Sequence, residues 1–143
     1  MAREARLRVI VGVDGSPQSA RALSWACRRG DTCGDTIRAV CAWSLGGSGE
    51  DWLAQPGVGA EGQRRAEEVL REAVERVRND HPSVEVEATV VEGPPARMLV
   101  DMSADADLLV VGSRGRGGFS GLLLGSVSQQ CVHHAHCPVT VVR

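Results

Sequence analysis

Short apolar runs alternate along this chain with stretches whose apolar residues recur every three or four positions. Arg8 to Val13 is nearly all apolar and predicts a buried strand, ending at Gly12-Val13-Asp14-Gly15. Ser16-Pro17 then predicts a helix start, a hydroxyl N-cap followed by proline at the first helical position. Ala20, Leu23, Ala26 and Cys27 continue at helical spacing, and Gly30 predicts the stop. Thr36 to Trp43 predicts a second strand. Ser44 to Ala60, rich in glycine, reads as a mobile loop in which Asp51-Trp52-Leu53 docks as one turn.

Glu61 to Asn79 is the clearest amphipathic helix. Ala66, Val69, Leu70, Ala73, Val74 and Val77 form one stripe, with Glu67–Arg71 and Glu72–Arg76 as i,i+4 pairs on the wet side. Val84 to Val91 alternates as a third strand, with Val84, Val86, Ala88 and Val90 on one face. Pro95 opens a short helix through Met98, Leu99 and Met102. Leu108 to Val111 is a fourth strand, Gly125 to Ala135 a last helix, and Val139 to Val142 a fifth strand. Strands alternating with helices predict an α/β domain: a parallel sheet with helices on both faces, a three-layer α/β/α arrangement.

At 143 residues the chain predicts one domain, residues 1–143. Its net charge of −2 gives no reason to expect nucleic acid or an anionic membrane as a partner. No apolar run is long enough to span a bilayer, and Met1 to Arg8 lacks the apolar stretch of a secretory signal. With five irregularly spaced cysteines, this predicts reduced thiols in the cytoplasm, Cys27, Cys33 and Cys41 being buried. Every basic side chain other than histidine is arginine, so a lysine-dependent phosphate loop is excluded.

The candidate chemistry lies in Val110-Val111-Gly112-Ser113-Arg114-Gly115, followed by Gly125-Ser126: Gly-x2-Gly-x9-Gly-Ser. A strand feeds a glycine-rich loop that opens a helix. Such glycines let backbone N–H groups approach an anion, and the helix N-terminus adds partial positive charge. Ser126 offers a hydroxyl. A glycine-rich surface loop is the plainer alternative. Arg114 and Arg116 lie inside the loop, either paired with phosphate or turned to solvent. Phe119 and Leu122 to Leu124 make it unusually apolar, which suits packing on the last helix or on a second subunit. Cys131, His133, His134, His136 and Cys137 look like a metal cluster, but their spacing would scatter them over a helix surface, so no metal site is expected.

On this motif the chain resembles the nucleotide-binding branch of the universal stress proteins. Matching segments include Val9 to Ser16, Glu92-Gly93-Pro94-Pro95, Asp107 to Gly118, Gly125 to Ser128 and His134 to Val142; the match is weakest from Ser44 to Ala60. The resemblance implies a five-stranded parallel sheet of order 3-2-1-4-5, an adenine nucleotide alpha-hydrolase-like fold. That order reverses between strands 1 and 4, where ligands bind beyond the carboxyl ends of the strands. It further implies ATP, with Mg2+, as the ligand. Ala42 would meet the adenine, Gly112 the ribose side, and Gly115, Gly125, Ser126 and Val127 the phosphates. Gly12, Val13, Val111 and Arg114 complete the contacting set. Asp14 has two readings: a ligand for ribose or magnesium, or only a turn former and helix cap with Gly15.

The functional expectation is a regulatory stress-response protein with little or no turnover. The alternative is a slow ATPase or another nucleotide-cleaving enzyme of the same fold group. A nicotinamide oxidoreductase is excluded, because no Gly-x-Gly-x-x-Gly follows strand 1 and no acidic residue ends strand 2. Val139 to Val142, an apolar edge strand in that order, implies a homodimer paired through this strand.

Overall fold

The computed structural model describes residues 5–44, 58–114 and 124–143. Its elements run β1 (Arg8–Gly12), α1 (Pro17–Cys33), β2 (Thr36–Trp43), α2 (Val58–Asp80), β3 (Val86–Glu92), α3 (Pro95–Ser103), β4 (Leu108–Gly112), α4 (Ser126–His134) and β5 (Val139–Val142). The five strands form one parallel sheet of order β3-β2-β1-β4-β5, as expected.

Strand alternation divides the core between the two faces. Val9 and Val11 of β1 point toward α1 and α2, where they join Leu23, Cys27, Leu70 and Val74. Ile10 points the other way, with Leu109 and Val111 of β4, and meets Leu99 of α3 and Cys131 of α4. Val9 to Val11 of β1 and Leu108 to Val111 of β4 are buried on both faces, which explains their unbroken apolar runs, while β2 is interrupted by the exposed Arg38. The stripe foreseen on α2 is the face that packs on the sheet.

Several boundaries differ from the sequence reading. Helix α1 runs past Gly30 to Cys33. Gly30 serves close packing: a Cβ there would lie 2.9 Å from Val84 Cγ1. Termination falls to Gly34 at φ +77, whose N–H donates to the Gly30 carbonyl. Cys33 is consequently half-exposed at the helix end, while Cys27 and Cys41 are buried. Helix α2 begins at Val58, inside the segment expected to be loop, and Gly62 lets the Trp43 ring close to 3.1 Å of where a Cβ would sit. Residues 45–57, with the turn expected at Asp51 to Leu53, lie outside the described residues. Strand β3 starts at Val86; Ala88 is exposed in an open groove beside Leu70 and Val74. On α2, Arg71 pairs with Glu75 at 3.1 Å and Glu68 at 4.0 Å, while Glu67 accepts from Gln63.

Two carboxylates align the amino ends of the strands. Asp35, 2% exposed, accepts from Leu7 N–H at 2.9 Å and meets Arg29 Nε at 2.8 Å. Asp107 accepts from the Arg8 N–H at 2.8 Å and Arg8 Nε at 3.3 Å. These bonds hold the Asp107 carboxyl below its ordinary range, the backbone N–H of Arg8 being the main cause.

Candidate functional site

The sheet order reverses between β1 and β4, so the chain leaves these neighbouring strands in opposite directions and opens a cleft at their carboxyl ends. Gly12, Val13 and Asp14 line it from β1, Val40 and Ala42 from β2, Val111, Gly112 and Arg114 from β4, and Val127 from α4. Pro95 and Leu99 of α3, Ser19 of α1 and Ser128 of α4 complete the wall. Gly125 and Ser126 are not among the lining residues; they are the N-cap and first residue of α4, just before Val127, with Gly125 buried and Ser126 exposed. Gly115 lies outside the described residues, as do Arg116, Phe119, Leu122 and Leu123; Leu124 is half-buried.

The walls are mostly apolar: Val13, Val40, Val111, Val127, Leu99 and Pro95. Charge enters at two points, Asp14 and Arg114. Asp14 holds the turn that starts α1. Its Oδ1 accepts from Ser16 N–H at 2.9 Å, and Gly15 follows at φ +83. The cap itself belongs to Ser16, whose hydroxyl accepts from Ser19 N–H at 3.1 Å. Asp14 is therefore a turn former and also a wall of the cleft.

Gly112 has a packing reason to be glycine. A Cβ would lie 2.8 Å from the carbonyl carbon of Gln18, in the first turn of α1. This close approach brings the end of β4 against the start of α1 and narrows the cleft between them.

The α4 N-terminus forms the polar end. Gly125, φ −75 and ψ 171, provides no side chain to cap it. Gln129 N–H donates to Gly125 O at 3.0 Å, so the N–H groups of Ser126, Val127 and Ser128 belong to the first turn, which has no helix carbonyls to meet. The helix dipole adds positive potential there. The arrangement suits an elongated ligand with an apolar body and an anionic end.

Sequence reasoning missed the serines beneath this surface. Ser113 N–H donates to Val142 O at 2.7 Å, and Ser113 O accepts from Gly125 N–H at 2.6 Å and from Ser128 Oγ at 2.9 Å. Ser113 and Ser128 are both buried, at 5% and 2% exposure. The available signal was weak: Ser113 directly follows the motif glycine Gly112, and Ser128 lies three residues after Gly125.

The chain matches the Universal stress protein family over residues 6–143. It belongs to that family. A universal stress protein of Mycobacterium tuberculosis is 43% identical over 136 residues, covering 94% of this chain and 45% of the relative. The chain thus spans about half the length of the curated relatives it matches. Among solved structures, a universal stress protein in complex with cAMP superposes with a TM-score of 0.70 at 29% identity, covering 98% of each chain. A family member from Arabidopsis thaliana with AMP bound gives 0.62 at 26% identity, covering 94% of this chain and 90% of that one.

Other features of this family member carry no comparable chemistry. His133 and His134 lie in the last turn of α4, and no group of three or more His, Cys, Asp or Glu among the described residues is placed to hold a metal ion. His81 bonds Asp31, joining the ends of α1 and α2 away from the cleft. A groove at the opposite ends of the strands is lined by Arg8, Arg38, Glu87 and Asp105, with Arg38 and Glu87 paired at 3.2 Å. Among the described residues no helix is long and apolar enough to cross a membrane.

Proposed function

We propose that this universal stress protein domain binds ATP with Mg2+ in the cleft between β1 and β4, and that occupancy, with little or no turnover, sets its regulatory state in the stress response. One observation carries the reading: the end of β1 with Asp14, the end of β4 with Gly112 and Arg114, and the first turn of α4 meet around one apolar slot. The adenine would lie against Ala42 and Val40, and the phosphates toward Val127, Ser126 and Gly125. Arg114 and Gly115 would extend the anion side. Asp14, which lines the cleft, would hold the metal or accept from ribose. The adenine nucleotides named with the two solved relatives support the class of ligand. The five cysteines form no disulfide, which fits a reducing compartment such as the cytoplasm.

Calorimetry tests the reading. ATP with magnesium should bind more tightly than GTP or NAD. No heat of binding with any adenine nucleotide at millimolar concentration would overturn it.

A further inference from the structure

The two chain ends that flank residues 114–124 are tied together by a buried knot. Ser113 O receives the Gly125 N–H at 2.6 Å and the Ser128 hydroxyl at 2.9 Å. The same hydroxyl lies 3.0 Å from Gly125 O. It has one proton, so that proton is shared between two carbonyls, one on each side of the stem. Ser113 is anchored in turn through its N–H to Val142 O, at the end of β5. Ser128 is 2% exposed and borders the cleft, yet its hydroxyl is turned into the knot.

We infer that Ser128 is a positioning residue for the anion side of the cleft: its hydroxyl closes the stem and holds the first turn of α4 against the end of β4. This rests on the nucleotide reading above. The physical reason is entropic and polar together. Bringing Ser113 and Gly125 together closes the chain between them at a cost in conformational entropy, and each fixed contact where they meet offsets part of that cost. Removing the hydroxyl takes away the one side-chain donor that links the two carbonyls. Each then keeps only its backbone donor, Gly125 N–H on Ser113 O and Gln129 N–H on Gly125 O, which loosens the junction from which the Ser126 and Val127 N–H groups project. The base side of the cleft, formed by β2 and α3, does not depend on the knot. Loss of the hydroxyl should therefore act on phosphate recognition and spare the nucleoside.

The test compares ATP and adenosine binding in the full chain for wild type, Ser128→Ala, Ser128→Cys and Ser128→Thr. Alanine and cysteine should each weaken ATP by roughly 5–10-fold, the effect of losing about one buried hydrogen bond, and change adenosine by no more than about twofold. Threonine, which keeps the hydroxyl, should stay within about twofold of wild type for both. A merely structural role would lower Tm or weaken both ligands equally, leaving the ratio unmoved. Should the alanine variant not fold, the near-isosteric cysteine variant carries the comparison. Amide exchange of Gly125 in the ligand-free protein gives a second readout; it should quicken by roughly tenfold or more when the hydroxyl is lost. An unchanged ATP-to-adenosine ratio in variants whose wild type binds both would overturn the role of Ser128. Wild type that binds neither would overturn the nucleotide reading instead, and the Gly125 exchange rate would still decide whether Ser128 closes the stem.

Discussion

Asp14 shows how one side chain serves both a turn and a cleft. Its Oδ1 accepts from Ser16 N–H, so truncation removes a structural bond as well as a charge. Asparagine separates the two roles, since its amide oxygen still accepts from that N–H. Asp14→Asn should keep Tm near the wild-type value and weaken binding of ATP with magnesium by about 1–3 kcal/mol. Calorimetry showing equal affinity would leave Asp14 as a turn former only. The buried thiols give a second residue-scale prediction. Burial raises Cys27 and Cys131 to about 11. The folded state therefore holds these protons more tightly than the unfolded chain, whose thiols titrate near 9. Their stabilising contribution is fully present below that lower value and is lost as pH rises toward 11. The chain has neither lysine nor tyrosine, so only thiols are expected to titrate in that window, Cys137 among them with its pKa also raised by burial. Urea denaturation repeated at several pH values should give a midpoint that falls from about pH 9 upward. A midpoint flat to pH 11 would contradict the burial argument.

At the scale of elements, the strands are placed by their ends as much as by their faces. Asp35 sits in the turn between α1 and β2, and its buried carboxylate meets the Leu7 N–H just before β1 and the Arg29 guanidinium on α1. It thereby joins a helix and two strands at one point. Asp35→Ala leaves Arg29, itself 30% exposed, beside an empty site, and should cost about 2–4 kcal/mol. Equilibrium denaturation measures this directly, and a loss below about 0.5 kcal/mol would show that the junction holds without the carboxylate. None of this was legible beforehand. An aspartate after a helix reads as loop chemistry, and only packing reveals that its partners lie far away in sequence. The α2 stripe was legible because helical periodicity is local and its burial leaves a direct mark on composition.

At the scale of the molecule, the two edges of the sheet differ. On β3, Arg78 Nη2 donates to Val86 O at 2.6 Å, and the strand carries Glu87 and Glu92. Both features discourage pairing. On β5, Val139-Thr140-Val141-Val142 is uncharged and all four residues are half-buried. The homodimer proposed for this protein would pair β5 with its twin across a two-fold axis, the same patch facing itself. Light scattering at micromolar concentration should give twice the chain mass of 15.2 kDa, and deletion of residues 139–143 should give monomer or aggregate. A clean monomer from the intact chain would refute this assembly.

Sequence by itself determined the kinds of element, their order and the central strands, because burial on both faces writes an unbroken apolar run and one-sided burial writes a period. It also marked Gly112 and Arg114, since a glycine-rich turn between strand and helix is a local device for meeting anions, whereas Asp14 and Val127 were singled out chiefly by the resemblance to the family. Tertiary structure alone decided the rest. Gly30 looked like a stop because glycine ends helices, yet Val84, far away in sequence, is what excludes a side chain there. Gly112 looked like a ligand contact, and its glycine is already required by Gln18. Ser113 and Ser128 had no role assigned from the sequence and proved to be the buried knot beneath the cleft. Each was hidden for one physical reason: the partner that explains the residue is brought near only when the sheet and helices close around it.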